Sequence, residues 1–396
     1  MASFDSSIGS LSHSRAAANY NSESGNDSTV VGGTFKIIFM GTGVSTAVPN
    51  LGHILADSCD VCRDAHTRPE SKNKRNNVSI AIVFSSMAAS HTKGDVILEE
   101  GRVFKEKCVL IDFGKTMRES CLSLLPRHGI KEVAAIVLTH GHADAILGLD
   151  DVRDLQIQKA ITISNPAEVA ASLSCQCCVG DVPVQFCQVC PSTDETLTLK
   201  DPKSTVTGFQ VISGPMPVYL HQETMDIVSR TFAYLTQSPD FLDKESCLLS
   251  RRIALLKFII IEQDDDFNIC GLPIRSFPVY HGGSYVSLGF SIGKAGEFVY
   301  ISDVKIIPEL TMAYLCSIPR INTLVVDALN RDGVWSHMGL EEALLLVEKL
   351  KPSVAYFTGM SCQMGTHMDI EAELARRAPM THLAYDGLVL DDFEIR

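Results

Sequence analysis

Runs of apolar, largely β-branched residues recur at 35–40, 78–84, 108–112, 133–138, 298–301, 323–326 and 354–357, with the length and composition of strands. Many are apolar at successive rather than alternate positions, which predicts strands covered on both faces. Segments with helical spacing, 339–350 and 369–377, lie among them, so the pattern predicts an α/β layered fold. Two stretches break the rhythm. Residues 1–34 are rich in Ser, Asn and Gly and are expected to form a disordered tail ahead of one domain at 35–396. Residues 158–214 are Ser/Thr-rich and aperiodic, and they are expected to be an irregular, Cys-rich insertion into that domain.

The chain of 396 residues has length for two or three average domains or for one large α/β unit. With 34 basic and 47 acidic residues the net charge is −13, a field that repels nucleic acid and anionic membrane unless a bound cation inverts it locally. The longest apolar run, 253–261, carries Lys257 and is strand-length, so no membrane span is expected. Thirteen cysteines in a chain of this length are too dilute for a disulfide scaffold. The thiols are therefore expected to be reduced and the protein cytoplasmic. Asp5, Glu23 and Asp27 against the single Arg15 speak against an import leader, although organellar import stays open. In the insertion, Cys187-x-x-Cys190 has ligand spacing, and Cys175 and Cys178 could complete a zinc knuckle. A loop with free thiols is the alternative, and the lack of a glycine or aromatic framework favours it.

The chemistry-bearing words follow the strands. Thr139-His140-Gly141-His142-Ala143-Asp144 comes directly after 133–138, and open α/β sheets place their sites at strand ends. Histidines at i and i+2 of a turn can present both imidazoles to one point, and the carboxylate two residues on can reach a second point about 3.5–4 Å away, a two-metal spacing. A His-x-His pair alone is weak evidence among 12 histidines. His281 after 277–280, Asp303 after 298–301 and His367 in the loop after 354–357 strengthen it, because four strand ends then converge on one chemistry. Asp112, Asp150, Asp151 and Asp327 also close or follow strands and are expected to be solvated loop carboxylates. Gly41-Thr42-Gly43 reads as a tight turn or as a phosphate cradle.

These motifs resemble those of the metallo-β-lactamase-fold hydrolases, in the branch of the bacterial cyclic-phosphate phosphodiesterase of phosphonate breakdown. The resemblance spans 35–155 and about 215 onward. It rests on Gly41-Thr42-Gly43-Val44-Ser45, Cys59-x-x-Cys62 with Arg75 and Asn76-Asn77, Leu110-Ile111-Asp112-Phe113-Gly114, Leu138 to Ala145, Gly148 to Arg153, Tyr300-Ile301-Ser302-Asp303 and Ser336-His337-Met338-Gly339-Leu340. It implies a four-layer αβ/βα sandwich with metal at one sheet edge. By position, His140, His142 and His281 would hold a first metal, Asp144 and His367 a second, and Asp303 would bridge them. His337 and Asp144 would be the catalytic residues, with His337 the proton donor, and Ser336 is expected to cap the helix that follows. The resemblance also implies a structural zinc at Cys59 and Cys62. Its further cysteine position is Asp57 here, and the positions after His367 are Met368, Asp369 and Ile370. The histidine that usually follows Asp144 is Ala145, so the second metal site is weakened, and one or two ions of Zn2+ or Mn2+ are expected.

The implied activity is a metal-dependent hydrolase, a phosphodiesterase acting on a small or cyclic phosphodiester through metal-activated water. The alternatives are a tRNA 3′-processing endonuclease, a thioesterase, a lactonase, or a non-catalytic scaffold with a degraded second site. A tRNA substrate would need a basic arm, which the insertion does not resemble. A small-molecule partner is expected, without membrane or nucleic acid, and a homodimer is left open.

Overall fold

The computed structural model describes residues 33–88, 97–98, 102–163, 206–212, 215–236, 253–293 and 296–395. Strands β1 (Gly33–Gly41), β2 (Ser79–Ala88), β3 (Ile97–Leu98), β4 (Arg102–Ile111), β5 (Ala135–Val137), β6 (Ile157–Ile163), β7 (Val206–Ile212), β8 (Met216–Leu220) and β9 (Leu256–Ile260) make up the first part of the chain. They are followed by β10 (Asp266–Ile269), β11 (Leu272–Tyr280), β12 (Val286–Ile292), β13 (Phe298–Ile301), β14 (Thr323–Asp327), β15 (Val354–Thr358), β16 (Thr381–Leu383) and β17 (Val389–Ile395). One mixed sheet has the order β17-β1-β2-β4-β5-β8-β9, with β3 on β4, and a second runs in sequence from β10 to β16.

Alternation of side chains along these strands separates three cores. Ile37, Phe39, Ile80 and Ile82 meet Phe290, Phe298, Tyr300 and Val325 between the sheets. The intervening residues Ile38, Met40, Ala81 and Val83 face the other way, into a cluster that includes Met117, Leu124 and Val228 of the helices Met117–Leu124 and Gln222–Thr231. Val299, Ile301, Leu324 and Val326 likewise face Leu315, Leu346 and Leu374 of the helices Glu309–Ser317, Leu340–Leu350 and His367–Arg377. Three apolar layers between four structural layers are why the strands read as apolar at successive positions. This is the four-layer sandwich that the resemblance implied.

From β13 to β16 the strands pair in parallel, and the three helices just named form the crossovers, so the loops after β13, β14 and β15 open at one edge. β11 and β13 are both antiparallel to β12, and thus run alike. β4, β5 and β8 are parallel in the other sheet. The Leu288 N–H of β12 donates to the Thr139 carbonyl at 2.9 Å, tying the loop after β5 to the opposite sheet.

Some boundaries differ from the pattern. β1 begins at Gly33, paired with Ile395 of β17, so ordered pairing starts two residues before the expected limit of the tail; residues 1–32 lie outside the described residues. The insertion is bounded by an antiparallel ribbon of β6 and β7; its five cysteines lie outside the described residues. His367 is not in a loop but opens a helix, capped by Thr366, whose hydroxyl accepts from the Asp369 N–H. Ser336 is not an N-cap either. The helix after it starts at Leu340, and the Gly339 N–H donates to Glu342. Among the described residues no helix is long and apolar enough to cross a membrane.

Candidate metal centre

The loop after β5 delivers the first donors. His142 stands at the start of the short helix Ala143–Ile146, which turns Asp144 back beside His140, with Nε2 to Oδ1 at 3.9 Å. That turn depends on close backbone packing. Phe113 N–H donates to the Ala145 carbonyl, Gly148 N–H donates to the Phe113 carbonyl, and a Cβ on Gly114 would collide with the Asp144 backbone. Ala145 itself packs into the apolar cluster beneath.

Hydrogen bonds fix which imidazole nitrogens are free. Thr139 N–H and Oγ1–H donate to Asp112 at 2.8 Å, so the hydroxyl accepts from His140 Nδ1–H at 2.8 Å and leaves the Nε2 lone pair free. His281 Nδ1–H donates to the Ser336 carbonyl at 2.9 Å, and its Nε2 lies 3.2 Å from His142 Nδ1. One nitrogen from each of His140, His142 and His281 lies within 4.8 Å of the others. The edge between nitrogens bound tetrahedrally at 2.0–2.1 Å is about 3.3 Å, close to the His142–His281 separation. Tyr285 steadies the exposed member, its ring stacked on His142 at 4.6 Å and its hydroxyl accepting from the Gly141 N–H at 3.1 Å.

Asp303, His281 and His337 form a second group within the same reach. His367 joins neither group. It is held apart by its N–H, which donates to Asn73 at 2.8 Å, and by edge-on contact with Tyr385. Among the described residues, His140 Nε2, Asp144 Oδ1, Asp303 Oδ2 and His367 Nδ1 are buried and without a hydrogen-bond partner. Each such atom costs about 1–3 kcal/mol if left bare. The first three belong to or border the histidine groups, which fits a cation there, and the mixed imidazole and carboxylate set fits zinc or manganese.

The electrostatics divide the site. Burial lowers His140 to about 3 and lowers His281 and His142, so all three imidazoles are neutral, as ligands must be. Burial pushes Asp303 up, but the positive charge of His337 opposes it and holds the carboxylate low. Burial and the charge of Asp303 raise Asp144 to about 7. His337 goes the other way. Burial lowers it, but Asp327, bonded to its Nδ1 at 2.7 Å, prevails and lifts it to about 9. An imidazolium therefore stands beside three neutral imidazoles, with the two rings of His281 and His337 4.6 Å apart.

The expected solvated status of Asp112 and Asp327 is overturned. Both are buried, one supporting His140 through Thr139 and the other supporting His337. Their position as the first acid after an all-apolar strand was the available signal. Asp150 and Asp151 do lie nearer the surface, pairing with Arg153 and Arg118.

A second cluster surrounds the two cysteines named from sequence. His53, Cys59, Cys62 and Cys362 place one donor atom each within 4.8 Å of the rest, with His53 Nδ1 3.5 Å from Cys62 Sγ and 3.3 Å from Cys362 Sγ. Asp57 instead points to Arg63, and nothing after His367 takes part. His53 stood six residues ahead of Cys59, a legible spacing; Cys362, some 300 residues on, had no local signal.

The chain belongs to the β-lactamase superfamily: the family model described as Beta-lactamase superfamily domain matches residues 107–216 and 207–360. Among solved structures, the fold is similar to a new diphosphatase from the PhnP family, with TM-score 0.58, 24% identity, and 92% of this chain and 99% of that one covered. It is also similar to zinc-bound PqqB from Methylobacterium extorquens, with TM-score 0.52, 15% identity, and 90% and 100% covered. Among curated proteins, an octanoyltransferase of Porphyromonas gingivalis is 22% identical over 365 residues, 91% of this chain and 53% of its own, so the chain spans about half the length of that relative.

Proposed function

We propose that the protein is a metal-dependent phosphodiesterase acting on a small or cyclic phosphodiester. The observation that carries this is the juxtaposition of three neutral imidazoles with a protonated one, His140, His142 and His281 beside His337. His140, His142 and His281 would hold a first divalent cation, with Asp303 at its edge; Asp144, with His367 brought in, would hold a second. A cation there supplies water acidic enough to attack near neutral pH and offsets charge on a phosphoryl oxygen. The chain's own residues do the rest. Asp112 and Thr139 keep the His140 lone pair turned inward, Tyr285 holds His142, and Asp327 keeps His337 charged so that its Nε2–H can donate to the departing alkoxide. In the reaction as written, His337 loses a proton to the leaving oxygen and regains one from solvent. A small substrate is favoured over tRNA by the −13 charge. The seven described cysteines are free thiols, which suits a reducing compartment such as the cytoplasm.

The test is metal analysis of the purified protein followed by hydrolysis of bis(p-nitrophenyl) phosphate. Zinc or manganese should co-purify, and H142A and H337A should each lose on the order of 100-fold or more in rate. Metal-free protein with background rates equal to those of H142A would favour the scaffold reading. A second reading, hydrolysis of an acyl thioester, is favoured by the similarity to an octanoyltransferase. It predicts octanoyl-thioester cleavage at the same centre and no phosphodiester activity.

We further propose that His53, Cys59, Cys62 and Cys362 hold a structural zinc. The donor edge of a tetrahedron with 2.0–2.3 Å bonds is about 3.5 Å, in line with the two His53-to-sulfur separations.

A further inference from the structure

We infer that Trp335 is a stacking platform for a planar, aromatic part of the substrate, and that the natural phosphodiester therefore carries a nucleobase or a comparable flat ring. Resting on the phosphodiesterase reading, the inference adds a specificity residue and a substrate class to it.

Trp335 is the single tryptophan of the chain, and it is 75% exposed. Its place is set by the two catalytic-loop segments. Ser336, the next residue, accepts from His281 Nδ1 through its carbonyl, and His337 follows directly. The Val334 N–H donates to the His337 carbonyl at 3.0 Å, closing a turn that holds the indole at the lip of the site. The ring rests on the backbone just after His281. A Cβ on Gly282 would press into its six-membered ring, and one on Gly283 would lie 3.1 Å from its Cζ2. Both glycines have positive φ, +88° and +56°, a conformation that larger residues rarely adopt. The glycine pair is thus a seat cut for the indole, which is supported at that side while most of its surface stays open. The same turn carries Tyr285, two residues beyond Gly283, over His142.

Such a ring is pre-oriented, with two side-chain torsions largely fixed by its seat, so little entropy remains to be lost on binding. What it can grip is flat and π-rich. The metal-facing imidazoles and His337 recognise the phosphoryl group alone and cannot distinguish its substituents, so Trp335 supplies that discrimination.

The experiment uses full-length, metal-loaded protein with AMP and ribose 5-phosphate as paired probes that differ by the base. Because Trp335 is the sole tryptophan, its emission reports binding without labelling. AMP should quench it saturably and ribose 5-phosphate should not. As inhibitors of bis(p-nitrophenyl) phosphate hydrolysis, AMP should bind about tenfold or more tighter than ribose 5-phosphate. That ratio should collapse toward one in W335A and largely return in W335F. Equal affinities in the wild type, or a ratio that persists in W335A, would overturn the inference. If no phosphodiester is hydrolysed, the phosphodiesterase reading fails by itself, and the fluorescence titration still decides the role of Trp335.

Discussion

His337 Nδ1 lies 2.7 Å from Asp327 Oδ2, and the carboxylate is wholly buried at the end of β14. The arrangement joins a strand of the inter-sheet core to a loop at the site's lip. It also fixes which nitrogen is free: with Nδ1–H given to Asp327, Nε2–H is the proton that faces outward. Asp327 acts through His337 and is a positioning residue.

This pair makes stability depend on pH. Because the folded value of His337, about 9, exceeds its ordinary 6.5, the folded protein binds the proton more tightly than the unfolded chain. His337's contribution is complete below pH 6.5 and disappears as pH rises through 9; burial raises Asp327 too, to about 7, and that contribution is likewise lost as pH rises, so both groups make the folded protein less stable at alkaline pH. In chelator-treated protein, the urea midpoint of H337Q should fall below that of the wild type most strongly near pH 6. The two should converge above about pH 9.5. A gap independent of pH would show that packing, not charge, ties the two residues.

Gly114 should be intolerant of any side chain. Its Cβ would strike the backbone of Asp144, and the segment cannot yield easily while Phe113 holds the Ala145 carbonyl and the Gly148 N–H. G114A should cost about 1–3 kcal/mol in urea unfolding. It should also displace Asp144, so that metal content falls in parallel. Retention of full metal content with lowered stability would separate the two effects.

Much of this centre was legible because the donors follow apolar strands within two or three residues, as His140 does after β5 and Asp303 after β13. The layer arrangement was legible for the same reason: residues such as Ile37 and Ile38 are both apolar, and only a strand between two cores buries both. What was hidden depended on contacts between distant segments. Cys362 reaches His53 across 309 positions, and Asp112 meets Thr139 only once β4 and β5 pair. The cap at Gly339 was misassigned to Ser336 because the serine has the better capping side chain. The structure uses its carbonyl for His281 instead.

Arg75 should prove to be the fastening of the segment that carries both Cys362 and His367. It is fully buried, and its guanidinium donates to the carbonyls of Ser361 at 2.7 Å and Gly365 at 3.4 Å. Gly43, whose N–H donates to the Asn76 carbonyl, packs against the same strand entry, so Gly41-Thr42-Gly43 serves as a tight junction. R75K keeps the charge but cannot span both carbonyls, so stability should drop by about 1.5–3 kcal/mol. Second-metal affinity should weaken more than first-metal affinity, a split that isothermal titration would reveal. Equal weakening at both would assign Arg75 a purely global role.

The His53, Cys59, Cys62 and Cys362 cluster makes zinc a measurable stoichiometry. Burial raises the Cys362 thiol to about 12 and raises Cys62 as well, whereas at Cys59 burial is outweighed by hydrogen bonds from Cys62 and Cys362, which lower it; zinc would hold all three as thiolates and join the loop before β2 to the turn after β15. Native mass spectrometry should therefore find one zinc more than the histidine centre holds. C62S and C362S should each lose that ion and lower stability on the order of 3 kcal/mol or more. C270S, at an exposed cysteine outside the cluster, should retain it. Phosphodiesterase activity should fall only as far as the turn leading to His367 loosens, so rate loss in C362S should exceed that in C62S. Zinc content unchanged in both variants would show that the four donors meet without a metal.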